Sequence, residues 1–328
     1  MLTLPENYGR IQRQEPAREY SRLQHLVSAL RGRYSEEEVF VGMFAPHNVY
    51  FDASGAPHQL HNKALIVGGF IAPADKWIAF EPRWNKTLDG AGVEYFHMTD
   101  LVAGKRQYLG WDRDKQKIPF LTQMAEIVMD TISFAIMAGV NLKDWDKVNQ
   151  DFELKESNLE PYELCGWSCV SRAKEWCDKK NIDPTKTLYF FEHGEPRPHP
   201  AQLAELIEDD LGIIVRTGFK RDDAEYQRTQ RKKKGRLEPP MIQFQAADIA
   251  AWQALNAMRN FEQGPLVWGI EDWLETILHH VHPRDRYDFQ YFSLHDPRDL
   301  NAKPSDTPSL IRLCNERSVP KRLTGSVR

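Results

Sequence analysis

An α/β fold built on a mixed sheet flanked by helices is predicted by three features of this 328-residue chain. Two apolar strand patterns, "NVYFD" at 48–52 and "KALIVGGFIAP" at 63–73, stand close together around a Ser54-Gly55 turn and read as a hairpin. Strand patterns then alternate with helical patterns as far as "RTGF" at 216–219. The series closes on a helix rich in alanine, "FQAADIAAWQALNAM" at 244–258. A hairpin followed by strand and helix alternation gives antiparallel pairing at the start and parallel pairing later, which is a mixed sheet.

The elements follow in order. Leu23, Leu26, Val27 and Leu30 recur at helical spacing between 15 and 33, an amphipathic N-terminal helix. The strand at 48–52 ends at Ser54-Gly55, and the second strand is apolar almost throughout, as a strand buried on both faces is. Asp75 is placed to cap a helix carrying Trp77, Phe80 and Trp84, which Pro82 is expected to bend or end. "VEYFHMTDL" at 93–101 reads as a short strand running into a helix start. A helix near 117–131, a strand at 133–142 and a helix near 161–180 come next. "KTLYFFEHGE" is a strand ending in acids, "HPAQLAELIEDDLG" is a helix closed by Gly212, and "GIIVRTGF" is a further strand. The chain divides into an N-terminal helical arm at 1–45, a main domain at 46–260, and a C-terminal helical extension with a basic tail at 261–328. The last stretch, ending "VPKRLTGSVR", is polar and expected to be loosely ordered.

Composition narrows the functional classes. With 41% hydrophobic and 27% charged residues the chain is of globular type, and its longest apolar run falls far short of the roughly 20 residues a membrane span needs. No secretory signal core is present at the N-terminus, so a cytoplasmic location is the expectation. A net charge of −4 means that any nucleic-acid affinity must come from a local basic patch. Cys165, Cys169 and Cys177 fall at spacings of four and eight on one helical pattern and, with Cys314, read as buried packing thiols.

Three acids stand out. Asp52 ends a β-branched and aromatic strand and is followed by a small-residue turn, which suits either a turn residue or a carboxylate presented at a strand end. Glu192 repeats the arrangement in "LYFFEHGE", where His193 and Glu195 are polar groups able to serve instead of it or beside it. Asp248 lies in "QAADIAAW" among four alanines and an isoleucine. A carboxylate on such a tightly packing surface needs a cation, hydrogen-bond donors or a wet cleft, the other reading being a solvent-facing acid. Gln245 is three residues earlier on the same helical face, placed to orient it or share its ligand. Carboxylates from two strand ends and a late helix suit Mg²⁺ or Mn²⁺, hard cations that take oxygen ligands.

These stretches carry a resemblance. "YFDASG", "VGGFIAPADKW", "FHMTDL" and "FQAADIAAW" resemble the DUF3800 family, whose members have an RNase H-like fold and are suspected metal-dependent nucleases. The likeness runs over about 48–258 and implies an RNase H-like domain, with Asp52 as the first-strand acid and Asp248 and Gln245 as the acid and glutamine of a Q-x-x-D element. Glu192 is assigned to the middle acid. The family often has Glu directly after the first Asp where this chain has Ala53, which removes one potential ligand.

Other groups fill out the candidate site. Ser54, His97 and Asp100 could touch substrate or orient ligands, Asp100 otherwise opening the following helix. Arg228, Arg231, Lys232, Lys233, Lys234 and Arg236 concentrate positive charge just before the Asp248 helix, as a phosphate-tracking loop or a solvated one. His279, His280 and His282 read as a helix end against its dipole rather than a metal cluster. The expected function is a divalent-metal-dependent nuclease acting on DNA or RNA. Its rivals are a non-catalytic nucleic-acid or protein binding module with a degenerate site, and a hydrolase of small phosphate esters. The enzymatic reading requires the carboxyl groups of 52, 192 and 248 to converge, with no lysine ammonium filling the space between them.

Overall fold

The computed structural model describes residues 47–55, 64–192, 200–218, 220, 241–263, 287–292 and 309–321. Among the described residues six strands make one mixed sheet: β1 (His47–Ser54), β2 (Ala64–Pro73), β3 (Phe134–Asn141), β4 (Leu188–Glu192), β5 (Val215–Gly218) and β6 (Tyr287–Phe292), in the order β5-β4-β1-β2-β3-β6. The predicted hairpin is present, with β1 antiparallel to β2 from His47 opposite Pro73 to Ser54 opposite Ile66. β3 adds antiparallel to β2, while β4 joins β1, β5 joins β4 and β6 joins β3 in parallel.

Helices cover both faces. One face carries α1 (Ala74–Ala91), α2 (Met98–Ala103), α3 (Ile118–Thr131) and α7 (Gln243–Gln263); the other carries α4 (Leu142–Asp151), α5 (Pro161–Lys179), α6 (Pro200–Leu211) and α8 (Ser309–Glu316). Strand alternation feeds the two cores separately. Tyr50, Ile66, Phe70 and Phe190 pack with Trp77, Phe80, Trp84 and Phe244, whereas Val49, Phe51, Val67 and Ile71 pack with Cys165, Cys169 and Ile207. Double coverage explains why β2 is apolar along almost its whole length. The four cysteines are buried thiols outside any disulfide, as expected, with the Cys169 thiol donating to the Val67 carbonyl at 3.4 Å.

Several local expectations are corrected. Residues 93–97 form no strand. Val93 and Phe96 are buried there, but the backbone N–H groups of Glu94 and Phe96 donate to the side chains of Gln107 and Gln245, so the segment, which bends at 94–95, is held by side-chain amides rather than by a strand among the described residues. Helix α1 runs on past Pro82, which lies on its exposed side. A proline costs a helix most where the carbonyl it frees is shut away from water, and here that carbonyl belongs to exposed Ile78. Asp75 sits in the first turn of α1, where its charge complements the helix dipole, and the cap position is Pro73. Helix α4 was hidden behind the apolar run of β3 and starts where the Asn141 side chain accepts from the backbone of Lys143 and Asp144. The region after 260 contributes an edge strand, β6, to the sheet. Part of the C-terminal stretch is ordered too: Cys314 and Val319 are buried, and Glu153 N donates to Pro320 O at 2.8 Å. The arm at 1–45, His193, Glu195, the basic residues 228–236 and the three histidines at 279–282 lie outside the described residues. No helix among the described residues is long and apolar enough to cross a membrane.

Helix α5 carries an unusual acid in its first turn. Glu163 is 1% exposed, and neither carboxyl oxygen reaches a partner in another of the described residues. Burial pushes its pKa from 4.5 up to about 7. The folded chain therefore keeps a proton that the unfolded chain has released between those two values, so stability falls as pH rises through this window and the loss is complete above it. Glu163→Gln should raise stability by about 3 kcal/mol at pH 8 and leave it nearly unchanged at pH 4. Urea denaturation at the two pH values measures this, and equal effects at both would refute it.

Candidate functional site: three acids around a lysine

The site follows from strand parity. Tyr50 and Phe190 are partners in the parallel β1/β4 register and stack at 5.0 Å between ring centres. Two residues further on, the same alternation turns Asp52 and Glu192 to the face covered by α7. Helix α7 closes on that face. Gly68 pairs with Asp52 across the hairpin, and a Cβ at Gly68 would stand 2.9 Å from the Ala251 backbone nitrogen. The glycine thus lets α7 lie directly on the sheet and brings Asp248, one turn before Ala251, over the strand ends. Gly68→Ala should force α7 outward and cost about 1–3 kcal/mol. Thermal unfolding is the check, and an unchanged midpoint would mean that α7 does not depend on this approach.

The three predicted acids do converge. Asp52, Glu192 and Asp248 all surround the Lys220 ammonium, whose Nζ lies 2.5 Å from Asp52 Oδ2, 3.4 Å from Asp248 Oδ1 and 3.8 Å from Glu192 Oε2. All four side chains are buried or nearly so. The space between the acids is therefore filled by a lysine, the arrangement that the enzymatic reading excluded, so that reading stands only if the ammonium gives way to a metal. Burial by itself would depress the Lys220 pKa, but the charges of Asp248, Asp52 and Glu192 outweigh it and hold the pKa above the ordinary lysine value. The ammonium stays charged throughout the physiological range.

Backbone donors fix two of the acids. Asp52 Oδ1 accepts from Ala53 N at 2.6 Å, leaving Oδ2 for the centre. Asp248 Oδ2 accepts from Met98 N, the first residue of α2, at 2.7 Å, leaving Oδ1 for the centre. Each carboxylate is thereby aimed by one oxygen and presents the other. Gln245 orders the surroundings: its Oε1 accepts from Trp84 Nε1 at 2.9 Å and from Phe96 N at 2.8 Å, and its Nε2 donates to the Lys220 carbonyl at 3.3 Å. It orients the loop segment and Lys220 rather than the Asp248 carboxylate.

The remaining candidates sit around this centre. Asp100 is buried in the first turn of α2, with Oδ2 3.0 Å from His97 Nδ1 and 3.4 Å from Arg106 Nε. His97 occupies the cap position of that helix without a side-chain capping bond. The two stand side by side, flanking the helix whose first N–H holds Asp248. The Tyr108 hydroxyl donates to Tyr95 O at 3.0 Å; burial raises its pKa, and the charges of Asp100 and Asp248 add to the rise. Ser54 is half-buried, two residues beyond Asp52 on the same face.

Lys220 escaped the sequence reading, although a signal for it exists. "RTGFK" ends β5 as "VYFD" ends β1 and "LYFFE" ends β4, and Gly218 pairs with Glu192. A basic residue just beyond a third strand end, two positions after a residue facing α7, belongs with the two strand-end acids. Comparison of the chain with family models, curated proteins and solved structures finds no match in any of the three.

The donor chemistry suits a hard divalent cation. Three carboxylates from separate elements present oxygens to one point, and a cation stands at that point. The spacing around it is that of an ammonium: among the described residues no group of three or more His, Cys, Asp or Glu is arranged to hold a metal as it stands.

Proposed function

We propose that the chain is a divalent-metal-dependent nuclease with an RNase H-like core related to the DUF3800 family, cleaving phosphodiester bonds in DNA or RNA. The observation that carries this reading is the convergence of Asp52, Glu192 and Asp248 on one cation-holding point. A structural ion pair needs one acid, whereas drawing three carboxylates from two strand ends and a helix into one buried spot opposes their mutual repulsion. Such clusters of buried charge are found at sites of chemistry as well as in structural ion-pair networks. The mixed sheet flanked by helices, with the acids on neighbouring parallel strands and a late helix, supports the RNase H-like assignment.

Asp52, Glu192 and Asp248 would hold Mg²⁺ or Mn²⁺, which when bound polarises a phosphate and lowers the pKa of a coordinated water. The chain's own contribution is positioning. The N–H groups of Ala53 and Met98 set the carboxylates of Asp52 and Asp248, Gln245 fixes the backbone of Lys220, and the buried apolar floor under the acids keeps water from screening them. His97, Asp100 and Arg106 form the adjacent polar group. The basic cluster at 228–236 would supply phosphate affinity from the segment preceding α7.

Asp52→Asn and Asp248→Asn should each lower Mn²⁺-dependent cleavage of single- and double-stranded polynucleotides by more than about 100-fold while the circular-dichroism spectrum is kept. Cleavage retained by either purified variant excludes this function. A second reading is favoured by Lys220 itself. If its ammonium neutralises the acids permanently, the same fold serves as a non-catalytic binding module, and the wild-type chain should neither cleave nor take up Mn²⁺.

A further inference from the structure

The position of Lys220 points to control of the site. We propose that Lys220 is a resident counter-ion with which a divalent cation competes for the three carboxylates, so that ammonium and metal occupy the site in turn. The inference rests on the metal-site reading above and adds a regulatory step to it.

Geometry makes the two occupants exclusive. The Lys220 ammonium contacts Asp52 Oδ2, Asp248 Oδ1 and approaches Glu192 Oε2. These are the oxygens turned to the centre, the other oxygens of Asp52 and Asp248 being held by backbone N–H groups. A magnesium ion sits at about 2.0–2.1 Å from its oxygen ligands, which leaves no room for a nitrogen among them. Binding the metal through this set therefore requires the ammonium to leave.

Backbone and head of Lys220 are held differently. Its backbone is tied down where Gln245 Nε2 donates to the Lys220 carbonyl, and Gln245 is itself locked by Trp84 and Phe96. The side chain, by contrast, is a flexible four-carbon stem whose head makes one short contact and two longer ones. Withdrawal of the ammonium by side-chain rotation would leave the Lys220 carbonyl on Gln245. The consequence is a site whose acids stay converged without metal, with an affinity for Mn²⁺ or Mg²⁺ set by how readily one positive charge yields to two.

Calorimetric titration of Mn²⁺ into the full chain and into Lys220→Met tests this, together with acylation of wild-type lysines by an amine-reactive reagent, with and without Mn²⁺, read by peptide mass mapping. The expected result is Mn²⁺ binding at least about tenfold tighter in the variant. In the wild type, Lys220 is expected to be protected without metal and to become reactive with it. Equal affinities with continued protection of Lys220 overturn the competition and leave the metal site standing. Absence of Mn²⁺ binding by both proteins overturns the metal-site reading and the competition with it. Should Lys220→Met fail to fold, the wild-type labelling decides alone: reactivity gained with Mn²⁺ supports the exchange, and unchanged protection in a protein that binds Mn²⁺ rejects it.

Discussion

Gln245→Leu is expected to lower stability by about 3–5 kcal/mol. Gln245 is 2% exposed and its Oε1 is the acceptor for two buried donors, the Trp84 indole and the Phe96 backbone N–H. A leucine of similar size leaves both donors without this partner, at about 1–3 kcal/mol each, and also releases the Lys220 carbonyl. The segment at 93–97, which has no strand neighbour among the described residues, should loosen first. A double-mutant cycle isolates the cause: Trp84→Phe removes one donor in advance, so the combined loss should fall short of the sum. Strict additivity, or a loss under about 1 kcal/mol, would show that the amide is not the organising group.

Lys220→Met in the absence of metal should be of similar size. The substitution takes away the ammonium that lies within 4 Å of all three acids and leaves those acids in place. Removing one partner of a buried charge cluster typically costs about 3–5 kcal/mol, because the charges left behind stay desolvated. The cost should shrink when Mn²⁺ is added at neutral pH. Urea denaturation at pH 7, with and without Mn²⁺, gives both quantities. A neutral or stabilising substitution at pH 7 without metal would mean that the ammonium is dispensable to the fold.

Much of the architecture is legible in the sequence because it follows from periodicity. The hairpin, the doubly buried β2, and the strands carrying Asp52 and Glu192 all announce themselves through apolar runs cut off by polar residues. Asp248 was legible through chemistry, an acid among alanines that pack against Gly68 and its neighbours. Other features were not. The segment 93–97 imitates a strand because its apolar residues are buried, yet its hydrogen bonds go to Gln245 and Gln107, some 150 and 13 residues away for Phe96 and Glu94. Helix α4 was masked by the strand before it, since Leu142 extends the apolar run of β3 into the first helical turn. Lys220 was passed over for a different reason. A lone lysine after a strand looks solvated, and only the pairing of Gly218 with Glu192 shows that it meets the acids.

The central claim is that Asp52, Glu192 and Asp248 form a seat for a divalent cation. A crystal soaked in Mn²⁺ and measured at the manganese absorption edge tests it most directly. The account predicts one anomalous peak bounded by the three carboxylates, with the Lys220 ammonium turned away from them. A map with no peak there, and the ammonium still lodged among the acids, would contradict it.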